Sequence, residues 1–144
     1  MNDPNRAKAT FQFSGYTFEK LSFAMENEYD PTQKYQVDFN LTIDTQLVDK
    51  TCKNEGFVIL ECNIKSDHAF SIHAIMKGKF ILVKSTEDID FEKFLKCNGT
   101  AVMYPYLRAA ISELTKTCNI QPLTLPLINV THFLKEEDKE KIIH

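Results

Sequence analysis

Alternation of apolar and polar residues organises the first half of the chain. Phe11 and Phe13 alternate with polar neighbours, Ser14 and Gly15 shift the phase, and Tyr16, Phe18, Leu21 and Phe23 carry the apolar pattern onward. A glycine at a phase change inside a strand predicts a β-bulge. Residues 25–34 are polar and hold Pro31. A connection of about ten residues exceeds what a hairpin needs, so the chain is expected to cross over other structure there. The next stretch is the cleanest: Tyr35, Val37, Phe39, Leu41 and Ile43 alternate with Gln36, Asp38, Asn40, Thr42 and Asp44. That period predicts a strand with one covered face and one wet face. Val58, Leu60, Cys62 and Ile64 form the inner face of a third strand, and Phe57 and Ile59 make its start apolar on both faces. After a short polar turn, Phe70, Ile72, Ala74 and Met76 line a fourth strand, expected to end near Lys77 and Gly78. The last three strands read as an antiparallel meander, with the first attached by the crossover.

The pattern then changes period. Phe80 to Val83 is a short apolar run, and STEDIDFEKFLKC has acids early and lysines late, as a helix dipole favours. Asn98 and Gly99 are expected to stop that helix. Over residues 100–118, Met103, Leu107, Ala110, Ile111, Leu114 and Cys118 fall on one helical face. Pro105 marks a kink or the true helix start. Residues 120–130 read IQPLTLPLINV, an apolar loop pinned by two prolines. Thr131 is expected to cap a last helix running through Lys141.

The 144 residues fit one domain spanning 1–144. A formal charge of -3 argues against nucleic-acid binding, which needs a cationic surface. No stretch suits a membrane helix, and the first ten residues lack a signal peptide's apolar run, so cytoplasmic residence is expected. Cys52, Cys62, Cys97 and Cys118 form no C-x-x-C pair and read as reduced, half-buried side chains. The sequons at Asn40, Asn98 and Asn129 then carry no weight. Eleven Phe and five Tyr, with no Trp and four Gly, imply either a large aromatic core or a presented aromatic surface.

Catalytic chemistry is hard to find. His68, His73, His132 and His144 show no metal-ligand spacing, so neither a metal nor a cofactor is expected. His73 reads as a plain surface histidine. Asp88 and Asp90, like Glu136 and Glu137, read as solvated helix ends. There is no nucleophile elbow, P-loop or G-x-G-x-x-G, and an enzyme is not expected. The apolar loop stands out instead. It either plugs the open face of the sheet or walls an apolar groove for a ligand or peptide.

Several segments together resemble the SecB family of protein-export chaperones. TFQFSGYTFEKLSF at residues 10–23 looks like the family's first strand, and residues 35–45, ending LTIDT, look like its second. MYPYLRAAI at 103–111 resembles its aromatic-Pro-Tyr-x-Arg helix start, and QPLTLPLIN at 121–129 its helix-connecting loop. The resemblance implies an α+β fold: a four-stranded antiparallel sheet with two or three helices packed on one side. It implies a homotetramer, a dimer of dimers, that holds unfolded preproteins in apolar grooves without nucleotide. Carried over residue by residue, Tyr35, Val37, Phe39, Leu123, Leu125, Leu127, Ile128, Val130 and Phe133 would line the groove, and Leu134 would extend it.

One departure bears on partners. Family members that deliver clients to the translocase motor SecA present acidic residues on the outer sheet face. The matching positions here, Lys20, Ala24, Ser71 and His73, are not acidic, which argues against SecA docking there. The expected function is an ATP-independent holdase for unfolded polypeptides, with a dedicated chaperone of one partner, such as an antitoxin, as the alternative. A small-molecule-binding or enzymatic domain using the groove as a pocket is the remaining reading.

Overall fold

A computed structural model describes residues 9–26, 28–49, 51, 54–67, 69–85, 89–136 and 140–143. Cys52, His68, Asp88, Glu137 and His144 lie outside the described residues. Four long strands form one antiparallel sheet: β1 (Ala9–Met25), β2 (Gln36–Leu47), β3 (Glu55–Ser66) and β4 (Phe70–Ser85). A short β5 (Glu140–Ile143) joins its edge, giving the order β1-β4-β3-β2-β5. β1 therefore sits beside β4, and residues 26–35 carry the chain to the opposite side of the sheet, the crossover that the long polar connection predicts.

Strands β2, β3 and β4 bury alternate residues. Val37, Phe39 and Leu41 of β2, Val58, Leu60, Cys62 and Ile64 of β3, and Phe70, Ile72, Ala74 and Met76 of β4 are all buried. The expected bulge is present: the β1–β4 register shifts between Phe13 and Tyr16, with Gly15 at φ 101. Only glycine adopts that φ without strain. Cys62 is buried, Cys97 and Cys118 are half-buried, and all three are free thiols.

Two glycines behave differently from expectation. β4 does not end at Gly78 but runs on to Ser85, absorbing the apolar run of Phe80. A Cβ at Gly78 would lie 2.5 Å from Met103 Sδ, so this glycine admits the helical layer against the strand. Nor does Gly99 stop the helix. The chain turns through α1 (Phe91–Phe94), a π-helical segment (Leu95–Gly99) and α2 (Thr100–Thr117) without a break. A Cβ at Gly99 would lie 2.7 Å from Val58 Cγ2, again a close approach to the sheet. Pro105 sits inside α2, so it marks no helix start. Asp90 does cap α1, its carboxylate accepting from Lys93 N at 3.1 Å.

α2 buries Met103, Tyr104, Leu107 and Ile111 against the sheet. It ends at Asn119, whose φ of 60 lies in the left-handed region, with Ile120 N donating to Thr115 O and Asn119 N to Lys116 O. α3 (Val130–Glu136) follows the loop. The expected last helix through Lys141 is corrected twice. α3 ends at Glu136 and the chain returns as β5; and Asn129, not Thr131, holds the helix start, accepting from His132 N at 3.2 Å.

The phenylalanines resolve mainly inward. Phe39, Phe70, Phe80, Phe91 and Phe133 are buried, and the other six are half-buried. Phe11 stacks on Phe94 with centroids 3.4 Å apart, and Phe13 on Phe80 at 5.0 Å. The aromatic rings that reach solvent are tyrosines, Tyr16 and Tyr106, which meet at 5.0 Å.

Candidate functional site

The site is built where β2, the crossover and the apolar loop lie. The loop of residues 119–129 is held to α2 by three side chains. Tyr104 Oη donates to Pro126 O at 2.6 Å, Arg108 Nε donates to Leu125 O at 3.0 Å, and Thr115 Oγ1 accepts from Leu123 N at 2.9 Å. These bonds satisfy backbone groups of a loop that two prolines keep out of regular structure. The MYPYLRAAI segment thus acts as the loop's anchor. Sequence reading singled out that segment without assigning Tyr104, Arg108 or Thr115 a role; the signal was their shared helical face.

Held this way, the loop alternates. Leu123 and Leu125 point into the core at 2% and 1% exposure, Ile128 and Val130 are half-buried, and Leu127 is 82% exposed. Tyr35, Val37, Phe39 and Phe133 are also buried. The nine groove positions therefore fall into two sets: six belong to the core of this chain, and Leu127, Ile128 and Val130 reach solvent in differing degree. The loop's inward side chains, Leu123 and Leu125, pack into the core, and Leu127 presents apolar surface to solvent.

The crossover is ordered by its own contacts. Asp30 N donates to Tyr35 Oη at 2.8 Å, and the Tyr29 and Tyr35 rings stack at 5.3 Å. The Asp30 carboxylate accepts from the Thr32 hydroxyl at 2.7 Å and from Thr32 N at 2.9 Å. Those bonds, the hydroxyl's first, hold its pKa below the ordinary 3.8.

The edge of β2 completes the site. β3 pairs with residues 37–47 on one side. On the other, β5 pairs only with Gln36, Val37, Asp38 and Phe39. Among the described residues no strand covers residues 40–47 on that side. Beside them lies a cavity of about 160 Å³, lined by Asn40, Leu41, Thr42, Ile43, Lys96, Phe133 and Leu134. An unpaired strand edge next to a cavity of mixed polar and apolar lining can take an extended chain, the backbone supplying hydrogen bonds and the cavity accepting a side chain.

The outer sheet face brings together Lys20, Ala24, Ser71 and His73: Ala24 pairs with Ser71, Ser22 with His73, and Lys20 with Ile75. His73 is no plain surface histidine. Its Nε2 lies 2.6 Å from Glu61 Oε2. Farther along, a 350 Å³ cleft at the β1 bulge is bordered by Lys77, which stacks on the Phe57 ring at 4.3 Å, and by Lys79, which pairs with Glu55.

Chemistry-bearing groups do not converge. Burial pushes the Cys62 thiol up to about 12, which keeps it protonated and inert. Among the described residues no cluster of three metal-ligating side chains forms, and no helix is long and apolar enough to cross a membrane.

Comparison with known proteins agrees with this architecture. The uncharacterized protein MJ0357 of Methanocaldococcus jannaschii is 31% identical over 93% of this chain and 92% of its own length. The Mycobacterium tuberculosis SecB-like chaperone Rv1957, solved with a ChAD peptide from the Rv1956 HigA1 antitoxin, superposes with a TM-score of 0.69 at 17% identity, over 82% of this chain and 90% of that one. A protein of unknown function from Streptococcus agalactiae superposes with a TM-score of 0.52 at 14% identity, over 84% of this chain and 100% of that one. The model of the preprotein translocase subunit SecB family matches residues 5–141, and the chain belongs to that family.

Proposed function

We propose that the protein is an ATP-independent holdase that binds unfolded polypeptide segments in extended form. The observation that carries this reading is the edge of β2 at residues 40–47, which no strand covers among the described residues, set beside a cavity whose mixed lining includes Leu41, Ile43, Phe133 and Leu134. Main-chain pairing needs no particular sequence, and each Å² of apolar surface covered contributes roughly 25 cal/mol. Leu127, Ile128 and Val130 extend the same apolar surface along the loop. The reading needs no catalytic residue, metal or nucleotide, and it suits one chaperone domain working in the cytoplasm.

A peptide-bound relative supports the mode: the mycobacterial SecB-like chaperone was solved holding an antitoxin peptide. That same complex favours a second reading, in which the chain guards one partner such as an antitoxin. Assembly into a dimer of dimers fits the β1 edge, where Tyr16, Leu21 and Met25 stand 40 to 45% exposed. Repetition of weak sites multiplies them by effective concentration. Docking to SecA through the outer face is disfavoured, because Lys20, Ala24 and Ser71 offer no acid and His73 engages Glu61. A role in protein export would then use another surface.

The test is suppression of aggregation of a destabilised protein. A several-fold excess of the chain should keep the client soluble, and Leu134→Asp should weaken client affinity about tenfold by charging the cavity wall. No suppression by the parent chain refutes the holdase reading. Protection of one antitoxin, with unrelated unfolded chains ignored, selects the second reading.

A further inference from the structure

β5 and the cavity lie in series along one strand edge. The pairing of β5 runs Ile143 opposite Gln36, Ile142 opposite Val37, Lys141 opposite Asp38 and Glu140 opposite Phe39. The cavity begins at the next residue, Asn40. β5 therefore holds the first four positions of the edge, and among the described residues no strand pairs with the remaining eight on that side.

β5 is a weak strand by composition and length. It has four residues where strands in folded proteins average five or six, and half of them are Glu and Lys, which strands disfavour. What keeps it in place is its tether: α3 ends at Glu136, only a few residues upstream, so β5 meets the edge at the high effective concentration of an intramolecular partner. A short free peptide competing for Gln36 to Phe39 faces that advantage. A long one also pairs along residues 40–47 and gains what β5 does not reach.

We infer that β5 is a built-in competitor for clients: it occupies residues 36–39 of the β2 edge and is displaced by an extended segment long enough to pair along the whole strand. β5 therefore opposes only a client long enough to reach residues 36–39, while a segment confined to residues 40–47 binds without displacing it. This inference rests on the holdase reading and adds regulation to the same site.

The experiment compares fluorescein-labelled peptides of alternating Val and Lys, a hexapeptide and a dodecapeptide, by anisotropy. Binding is measured to the parent chain, to a chain lacking residues 140–144, and to Ile142→Pro, which removes an amide donor from β5. With β5 closed about nine-tenths of the time, both variants should bind the dodecapeptide roughly tenfold tighter than the parent. The hexapeptide, which fits residues 40–47, should be unaffected. Hydrogen exchange gives a second readout: amides of Glu140 to Ile143 should lose protection when the dodecapeptide binds the parent. Dodecapeptide affinity that is unchanged or weaker in both variants overturns the inference, as does retained protection of β5 in the complex. If the parent binds neither peptide, the holdase reading fails and the inference falls with it.

Discussion

The two edges of the sheet are alternating strands of the same kind that finish differently. On β2, the helix-side residues Val37, Phe39 and Leu41 are 0, 1 and 4% exposed, covered from within the chain. On β1, Tyr16, Leu21 and Met25 stand 40, 41 and 45% exposed, and Phe18 and Phe23 are half-buried. Among the described residues β1 pairs only with β4, so its outer backbone is open too, but it adds a fixed apolar relief of side chains that suits a partner of fixed shape such as a second copy of the chain. β2 is an edge defined by backbone, with a cavity beside it, and backbone accepts many sequences. The covered helix-side face of β2 and the exposed one of β1 thus fit the two proposed roles, capture at β2 and assembly at β1.

The sharpest way to break this comparison is to place the same charge on both sides. Leu125→Asp buries a carboxylate in the core beneath the loop, where Leu125 is 1% exposed, and should cost on the order of 4 kcal/mol or more. Leu21→Asp puts the carboxylate into water and should change the stability of the single chain by no more than about 0.5 kcal/mol. Urea unfolding of both variants decides. Equal losses would mean that β1 is as finished as β2, and the contrast would be gone.

That pair of leucines also shows where sequence reading reached its limit. Period two placed the covered faces of β2, β3 and β4 correctly, and the phase change at Ser14 and Gly15 located the bulge, because strand alternation is a local property. Spacing placed Met103, Leu107 and Ile111 on the buried face of α2 for the same reason. The loop was legible as apolar and pinned by prolines. Which of its leucines turn inward was not, since that depends on Tyr104, Arg108 and Thr115 bonding to Pro126, Leu125 and Leu123 from a distant part of the chain. Gly78 and Gly99 read as stops because a glycine that ends an element and one that admits a neighbour look alike in sequence. Glu140 and Lys141 read as the end of a helix because their neighbourhood is rich in Lys and Glu; the strand state of Glu140 to Ile143 comes from the β2 edge it pairs with.

A smaller effect isolates the assembly edge. Leu21→Asp combined with Met25→Asp should weaken subunit association by at least about tenfold, since burying even one such side chain is worth about 1.5–3 kcal/mol. Light scattering across a dilution series should show the smaller species at concentrations where the parent stays assembled. Affinity for a bound peptide, counted per chain, should hold. If that affinity drops in step with assembly, the client site is shared between copies, and the division of labour between the edges is wrong.

The smallest effect concerns the connection that joins the two edges. Asp30 lies in the crossover, its carboxylate bonded by Thr32 and its backbone N–H bonded to Tyr35 Oη at the start of β2. Its folded pKa is lowered below 3.8, so the stability it contributes is complete above that ordinary value and is lost as pH falls through the lowered one. An NMR titration of the parent should give Asp30 a midpoint below 3.8, and Thr32→Val should move it upward by removing the hydroxyl, which is the larger cause, while the Thr32 N–H still bonds. Signals of Tyr35 should follow the Asp30 titration, and those of Leu21 and Met25 should not. A parent midpoint at or above 3.8, or one that Thr32→Val leaves in place, removes the electrostatic account of the loop. Equal responses from Tyr35 and Met25 would tie the crossover to both edges, whereas a response from Tyr35 alone assigns it to β2, the edge proposed to take the client.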